Sequence, residues 1–561
     1  MKVIMNRDPL SAVMWSFRRE FFAVGVFSLV VNLLMLTPTL YMLQVFDRVM
    51  VSQSEMTLLV VSLITLFLFT MMAFGEWARS RLLVRTGVKL DEALSERVFR
   101  SSFLSYLQPQ LADPAKAFGH LITLRQFLTG QGVFAVFDSP WVPIYTGVLF
   151  MLHPWLGIMA TCFAIVQTLI AWYGNKVSRA PQLQAGRAVG RAQYFMQSKL
   201  RNFEVVAAMG MFEGLYRRWR DLNDQAMLQS GQAQQDSAVV MALSKFVRYA
   251  QQTFSLAIGA WLVIRGEISP GAMIAANVLT TRALAPIDLL VQSWPAFLSS
   301  REAYTRLREL LGFEPPGRSR EMVQPPRGAL SVRDVVAHAP GRERPVIAGI
   351  SLDIEPGQVT VMMGPSGSGK STLARVMLGI WPLTSGQVQL DGERIEQWTR
   401  ESLGPHIGYL PQDIELFEGT IADNIARSGE LDSGKVIEAA QAAGLHQMIL
   451  RFAKGYDTPV GQAGGFLSGG QRQRIGLARA LYGQPSLVIL DEPNANLDDE
   501  GERALMMAVQ TLKAAGKTVL LITHRPGAVR FADQLVLLKD GELMASGPRD
   551  AVLSALHKVN T

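Results

Sequence analysis

The residues that most constrain chemistry in this sequence begin at Gly364. Gly364, Pro365, Ser366, Gly367, Ser368, Gly369, Lys370, Ser371 and Thr372 follow the apolar run 359–363. A strand, a glycine-rich loop and a helix start in that order match the Walker A pattern. Glycines let backbone N–H groups wrap phosphates, and the helix N-terminus adds a favourable dipole. Lys370 would bring charge to the β- and γ-phosphates, and the Ser371 hydroxyl would ligate Mg²⁺. A glycine-rich turn with no ligand is the plainer reading, but a second phosphate-chemistry motif further along the chain weighs against it. Leu487-Val-Ile-Leu-Asp491-Glu492-Pro493 is an apolar strand ending in two carboxylates, a Walker B pattern. Asp491 would hold Mg²⁺ through water, and Glu492 would polarise the attacking water as general base. The cofactors implied are ATP and Mg²⁺.

Between these elements stands Leu467-Ser468-Gly469-Gly470-Gln471, which resembles the signature of ABC ATPases. The resemblance implies that Ser468, Gly470 and Gln471 open a helix whose N–H groups meet the γ-phosphate held by the opposite subunit. Three further positions match the same family. Gln412, in Leu410-Pro-Gln-Asp413, is similar to the Q-loop glutamine that senses Mg²⁺ and the transmembrane domain. Asp498 fits the D-loop. His524, after the apolar run 518–523, fits the switch histidine at the γ-phosphate. One position departs from the pattern. The aromatic residue that commonly stacks on adenine is replaced by Ala339, leaving His338 or apolar contacts to hold the base. With Glu492, His524 and the signature all intact, an identical partner is expected, giving a homodimer with two equivalent composite sites.

Such a site needs a parallel sheet, and the rest of the chain must hold something else. Of the 561 residues, 49% are hydrophobic and 18% charged, below the roughly 25% charged of soluble domains. The apolar excess falls in the first half. The formal net charge is +7, but much of the Lys and Arg lies in loops between apolar runs, which is the bias of cytoplasmic loops. No nucleic-acid partner is expected. The single cysteine, Cys162, excludes an intramolecular disulfide. The basic N-terminus ahead of an apolar stretch reads as an uncleaved first membrane helix, because no small-residue cleavage site closes the stretch.

Six spans are expected, at about 21–43, 57–75, 133–152, 155–173, 247–264 and 271–290, each near the 20 residues that a bilayer requires. The last two are more polar, as suits helices lining a pathway. The long loops after spans two and four carry Arg79, Arg81, Arg85, Arg97 and Arg100, then Lys176, Arg179, Arg187, Arg191, Arg217, Arg218 and Arg220. That places both loops and the N-terminus in the cytoplasm. Helical periodicity continues through 90–103 and 193–209. Asp47-Arg48 could line a path or be an interfacial charge pair, and Asp138 could be functional or simply solvated at a helix boundary. The fold class expected is therefore multidomain. A six-helix transmembrane domain of ABC exporter type occupies 1–300, a proline-rich linker 301–327, and an α/β P-loop ABC nucleotide-binding domain 328–561.

Tyr41-Met-Leu-Gln-Val-Phe-Asp47-Arg48-Val49 and Leu410-Pro-Gln-Asp-Ile-Glu-Leu-Phe417-Glu-Gly-Thr-Ile-Ala-Asp-Asn424-Ile resemble the ABC components of type I secretion systems. Within that group the likeness is to PrtD-like exporters of alkaline proteases, lipases and haem-binding proteins. The short stretch before the first span fits that branch, because haemolysin and bacteriocin exporters usually carry a peptidase-like domain there. The resemblance implies a multi-pass protein of a bacterial inner membrane with a cytoplasmic ATPase domain. It implies a periplasmic membrane-fusion adaptor and an outer-membrane channel as partners. The substrate would be an unfolded secreted protein with an uncleaved C-terminal signal. A lipid or small-molecule exporter would share the architecture. A soluble ABC ATPase is disfavoured by the spans, and a nucleotide-gated channel by the intact Glu492.

Overall fold

Long helices dominate the first part of the computed structural model, which describes residues 9–105, 116–200, 202–312, 321, 324–339, 342 and 344–559. The chain divides into two units, Met1–Glu314 and Pro315–Thr561.

Among the described residues of the first unit, five helical stretches are long and apolar enough to cross a membrane: Arg18–Ser52, Glu55–Leu104, Ala117–Leu152, Pro154–Leu200 and Pro270–Leu311. Glu55–Leu104 is one helix of 50 residues. At 1.5 Å per residue it reaches about 75 Å, more than twice the roughly 30 Å of bilayer hydrocarbon. Ser54 caps its start, its hydroxyl accepting from the Thr57 N–H. Leu59, Leu63 and Phe67 stand exposed along it, as lipid-facing side chains would.

Several elements differ from the sequence expectation. The first span is broken into helices Arg18–Leu34 and Thr37–Gln44, followed by a π-helical turn at Val45–Val49. The third is interrupted at Ser139-Pro140, between helices Gln131–Asp138 and Trp141–Leu152, because proline cannot donate to the helical ladder. The fifth forms the end of the Phe212–Ile264 helix, which is not among the five apolar stretches; its Gln251, Gln252, Thr253 and Ser255 dilute the hydropathy. The expected linker start at 301 lies inside the Pro270–Leu311 helix. Ala303, Leu307 and Leu310 are buried there, on one helical face with period three to four. The proline-rich stretch 313–318 falls outside the described residues.

Among the polar ties between these helices are two made by acidic residues that the sequence singled out. Asp138 is buried rather than solvated: Asn32 Nδ2 donates to its Oδ1 at 2.7 Å, and Arg79 Nη1 lies 3.4 Å away. The Arg79 guanidinium also sits over the Phe134 ring at 4.4 Å. Asp47 caps the N-terminus of the Pro270–Leu311 helix, accepting from the Gly271 N–H at 2.9 Å and from the Ser269 hydroxyl. A Cβ on Gly271 would fall 2.5 Å from Asp47 Oδ1, so the approach needs glycine.

The second unit is built on two sheets. Strands β1 (Leu330–His338), β2 (Pro345–Ile354), β4 (Ser385–Leu390) and β5 (Glu393–Arg394) form an antiparallel sheet in the order β2-β1-β4-β5. Strands β3 (Val359–Met363), β6 (Ile407–Leu410), β7 (Leu487–Asp491), β8 (Thr518–Ile522), β9 (Gln534–Lys539) and β10 (Glu542–Pro548) form the second, in the order β10-β9-β3-β8-β7-β6. All its pairings are parallel except β10 with β9. Strands β7 and β8 are buried at every position, the mark of a parallel sheet covered on both faces.

Candidate active site

Open parallel sheets bind ligands outside the carboxyl ends of their strands. The sequence-predicted residues of β3, β7 and β8 converge there. After β3 the chain turns through Gly364, Gly367 and Gly369 and enters the Lys370–Met377 helix. Gly369 lies in the left-handed region, with φ of 93°, and a Cβ there would sit 2.8 Å from Ile347 Cδ1. At Gly364 a Cβ would fall 2.1 Å from the Leu538 carbonyl oxygen, so no larger residue fits. Pro365, Ser366 and Ser368 complete the loop, and Ser371 and Thr372 follow Lys370 in the first helical turn.

Lys370 is buried, its Nζ donating to the carbonyls of Gly364 and Pro365 at 2.9 Å each. Burial lowers its pKa, partly offset by the nearby carboxylates of Glu492 and Asp491. Asp491, the last residue of β7, is fully buried. Neither of its carboxylate oxygens makes a hydrogen bond of ordinary geometry among the described residues. Burial raises its pKa, and the neighbouring Ser371 hydroxyl, Arg375 and Lys370 counter only part of that.

Glu492 is gripped from both sides. Gln412 Nε2 donates to its Oε2 at 3.2 Å, and His524 Nε2 lies 3.1 Å from its Oε1. Its backbone has φ of 48°, in the left-handed region, where a non-glycine residue costs about 1–3 kcal/mol. A hydrogen bond from its N–H to the Ile522 carbonyl, 2.9 Å, fixes that turn against β8. The elements after β6, β7 and β8 thus meet at one carboxylate.

The signature residues stand apart from this cluster. Ser468 caps the Gly469–Leu481 helix: its hydroxyl accepts from the Gln471 N–H at 3.3 Å, and Gln471 Oε1 accepts from the Ser468 N–H at 2.8 Å. Gly470 packs beside Asn496, whose carbonyl oxygen would be 2.9 Å from an added Cβ. No hydrogen bond joins Ser468, Gly470 or Gln471 to the 364–372 loop among the described residues. Asp498 joins the signature helix instead, pairing with Arg474 at 2.6 Å while capping the Asp499–Ala514 helix. The Gly501 N–H and then Arg474 hold its carboxyl below the usual range.

Three positions escaped the sequence reading. Gln473, buried, donates to the Pro493 carbonyl at 2.8 Å and so ties the signature helix to the turn after β7. Arg474 sets Asp498, and Arg525 pairs with Glu502 beside the switch histidine. A signal was present, since Gln473 and Arg474 lie two and three residues past the end of the signature at Gln471. The His338 imidazole is taken up by Thr384 Oγ1 at 2.8 Å, at the end of β1.

A phosphate loop after β3, paired carboxylates after β7, a histidine after β8 and a helix-capping signature, joined to a unit of long apolar helices, define an ATP-binding cassette transporter. Residues 347–495 match the family model "ABC transporter", and residues 121–286 match "ABC transporter transmembrane region". The chain is 41% identical to the type I secretion system ATP-binding protein PrsD of Rhizobium meliloti, over 98% of this chain and 94% of that protein. It is 27% identical to the toxin RTX-I translocation ATP-binding protein of Actinobacillus pleuropneumoniae and 28% to the leukotoxin translocation ATP-binding protein LktB of Mannheimia haemolytica. Each of these matches covers 96% of this chain and 77% of the relative. The fold is shared with a bacterial Atm1-family ABC exporter solved with ATP bound, at a TM-score of 0.81 and 22% identity over 96% of both chains. The chain belongs to the type I secretion family of ABC transporters, membrane proteins that couple ATP hydrolysis to transport.

Proposed function

We propose that this chain is the homodimeric ABC component of a type I secretion system in a bacterial inner membrane, with its ATPase unit in the cytoplasm. It exports an unfolded polypeptide bearing a C-terminal signal, working with a periplasmic adaptor and an outer-membrane channel. The observation that carries this reading is the 41% identity to PrsD across nearly the whole of both chains.

In this reading the backbone N–H groups of 364–372 and Lys370 hold the ATP phosphates. Mg²⁺ fits the unpartnered Asp491 oxygens with the Ser371 hydroxyl, a hard oxygen donor set, and Gln412 stands close enough to Glu492 to join it. When bound, the ion neutralises charge on the β- and γ-phosphates. Glu492 accepts the proton of the attacking water, while Gln412 and His524 fix the carboxylate and so the water. Ser468, Gly470, Gln471 and Asp498 of a second copy close the site. Support for that division comes from the signature residues making, among the described residues, no hydrogen bond to the phosphate loop of their own chain.

The test is export of a candidate cargo, with and without its C-terminal segment, from cells making the chain, adaptor and channel. Export that requires the segment supports the reading, and export indifferent to it overturns the reading.

A further inference from the structure

Within the first unit, a cavity of about 1040 Å³ opens between the helices Ala117–Thr129, Pro154–Leu200, Phe212–Ile264 and Pro270–Leu311. That is at or above the upper end of the roughly 300–1,000 Å³ typical of small-molecule sites. One wall is a single face of the Pro154–Leu200 helix, beyond its expected apolar span. Gly186 and Gly190 lie one turn apart there, and a Cβ on either would meet nothing within 4 Å. The bare backbone is therefore open space and not a helix contact within this chain. Arg187 and Arg191 follow the two glycines, both exposed and without a hydrogen bond or ion pair to any described residue. Tyr194, 66% exposed, continues the face, Lys116 lines the wall opposite, and among the described residues Glu302 is the one acidic lining residue.

We propose that this cavity receives an extended acidic segment of the exported polypeptide, an assignment that rests on the secretion function proposed above. The chemistry selects that occupant. Two guanidinium groups spaced four residues apart offer forked donors to carboxylates. The glycines let another backbone approach the helix closely, as small residues do where backbones meet. Tyr194 supplies flat, sequence-tolerant contact area at low entropic cost. A substrate read by charge and backbone, with no deep side-chain pocket, suits a transporter that must let its cargo slide on.

The test uses the purified full-length protein and a fluorescent Glu-rich peptide, with its Gln-for-Glu counterpart as control. The acidic peptide should bind more tightly than the control, and salt should weaken it. The double variant R187E/R191E should bind it about tenfold more weakly, R187K/R191K, which keeps the charge but not the fork, should fall between it and the wild type, and basal ATP hydrolysis should be unchanged in both. Equal affinity of the charge-reversed variant overturns the proposal. So does loss of binding only to phosphatidylglycerol vesicles, which would make the cavity a lipid site. So does a Gly190→Leu variant that falls apart into monomers, which would make the face a contact between copies. Export indifferent to the cargo's C-terminus overturns the secretion function but not this peptide result, so the two failures are distinct.

Discussion

His524 Nε2 lies 3.1 Å from Glu492 Oε1, although 32 residues separate them in sequence (524 − 492). The pairing follows from sheet order. β7 and β8 are neighbours in parallel register, Asp491 opposite Ile522, so the residues just past each strand end must meet. The strained backbone of Glu492 then turns its carboxylate toward the histidine and Gln412.

Asp491→Asn should make the nucleotide-free protein more stable and less able to use Mg²⁺. The wild-type carboxylate is buried without a hydrogen bond of ordinary geometry, and relief of such a group is worth about 1–3 kcal/mol. Its raised pKa fixes the sign of the pH dependence. The charged form is disfavoured above that pKa and the cost disappears as pH falls through it, so the variant's advantage should shrink on acidification. Thermal unfolding across a pH series checks this, and an advantage that grows toward acid would contradict it.

ATP affinity should fall at alkaline pH sooner than an ordinary lysine would allow. Burial lowers the pKa of Lys370, so its charge is lost earlier as pH rises, and with it the attraction for phosphate. Lys370→Arg, whose guanidinium stays protonated, should flatten the profile. Nucleotide titrations of both proteins over the alkaline range measure it, and parallel profiles would count against Lys370 as the phosphate ligand.

Mixed dimers should reveal the composite site. With Lys370→Ala in one copy and Ser468→Arg in the other, one site keeps an intact loop and an intact signature, and roughly half the ATPase activity should remain if the two sites turn over independently. With both changes in one copy and a wild-type partner, both sites are damaged and activity should vanish. If each chain instead built its site alone, the order would reverse, the split arrangement losing all activity and the same-copy arrangement keeping about half.

Asp138→Ala should destabilise the helical unit without touching the ATPase residues. It takes a buried partner from the Arg79 guanidinium and leaves it the longer, half-exposed contact to Glu76 at 3.8 Å, so the cost should approach but not exceed about 3–5 kcal/mol. Asp138→Asn, which can still accept from Asn32, should cost less. Unfolding in detergent ranks the two, and equal stability of Asp138→Ala and wild type would remove the pair from the scaffold.

What was legible in the sequence divides along a physical line. Gly364, Lys370, Asp491 and Glu492 could be read because phosphate chemistry demands those types at those spacings, next to an apolar strand. The long apolar helices could be read because a bilayer demands length. The break at Ser139-Pro140 follows from the proline itself, whereas the break at Met35-Leu36, the helix over 301–311 and the π-helical turn at Val45–Val49 have no such local signal. Asp47 meets Gly271 across 224 positions and Asn32 meets Asp138 across 106. No local pattern encodes such partners, which is why the sequence left Asp47 open between a path residue and an interfacial charge, and Asp138 between a functional and a solvated residue. The signature marked the neighbourhood of Arg474, but not its pairing with Asp498 across 24 positions.

In the proposed mechanism Glu492 accepts the proton of the attacking water, so hydrolysis and export should both depend on it. The decisive measurement is phosphate release and cargo export, taken together, for the wild type and Glu492→Gln. The variant should bind ATP normally, lose hydrolysis by about 10²–10⁴-fold and export nothing. Near-normal hydrolysis or continued export by Glu492→Gln would contradict that role.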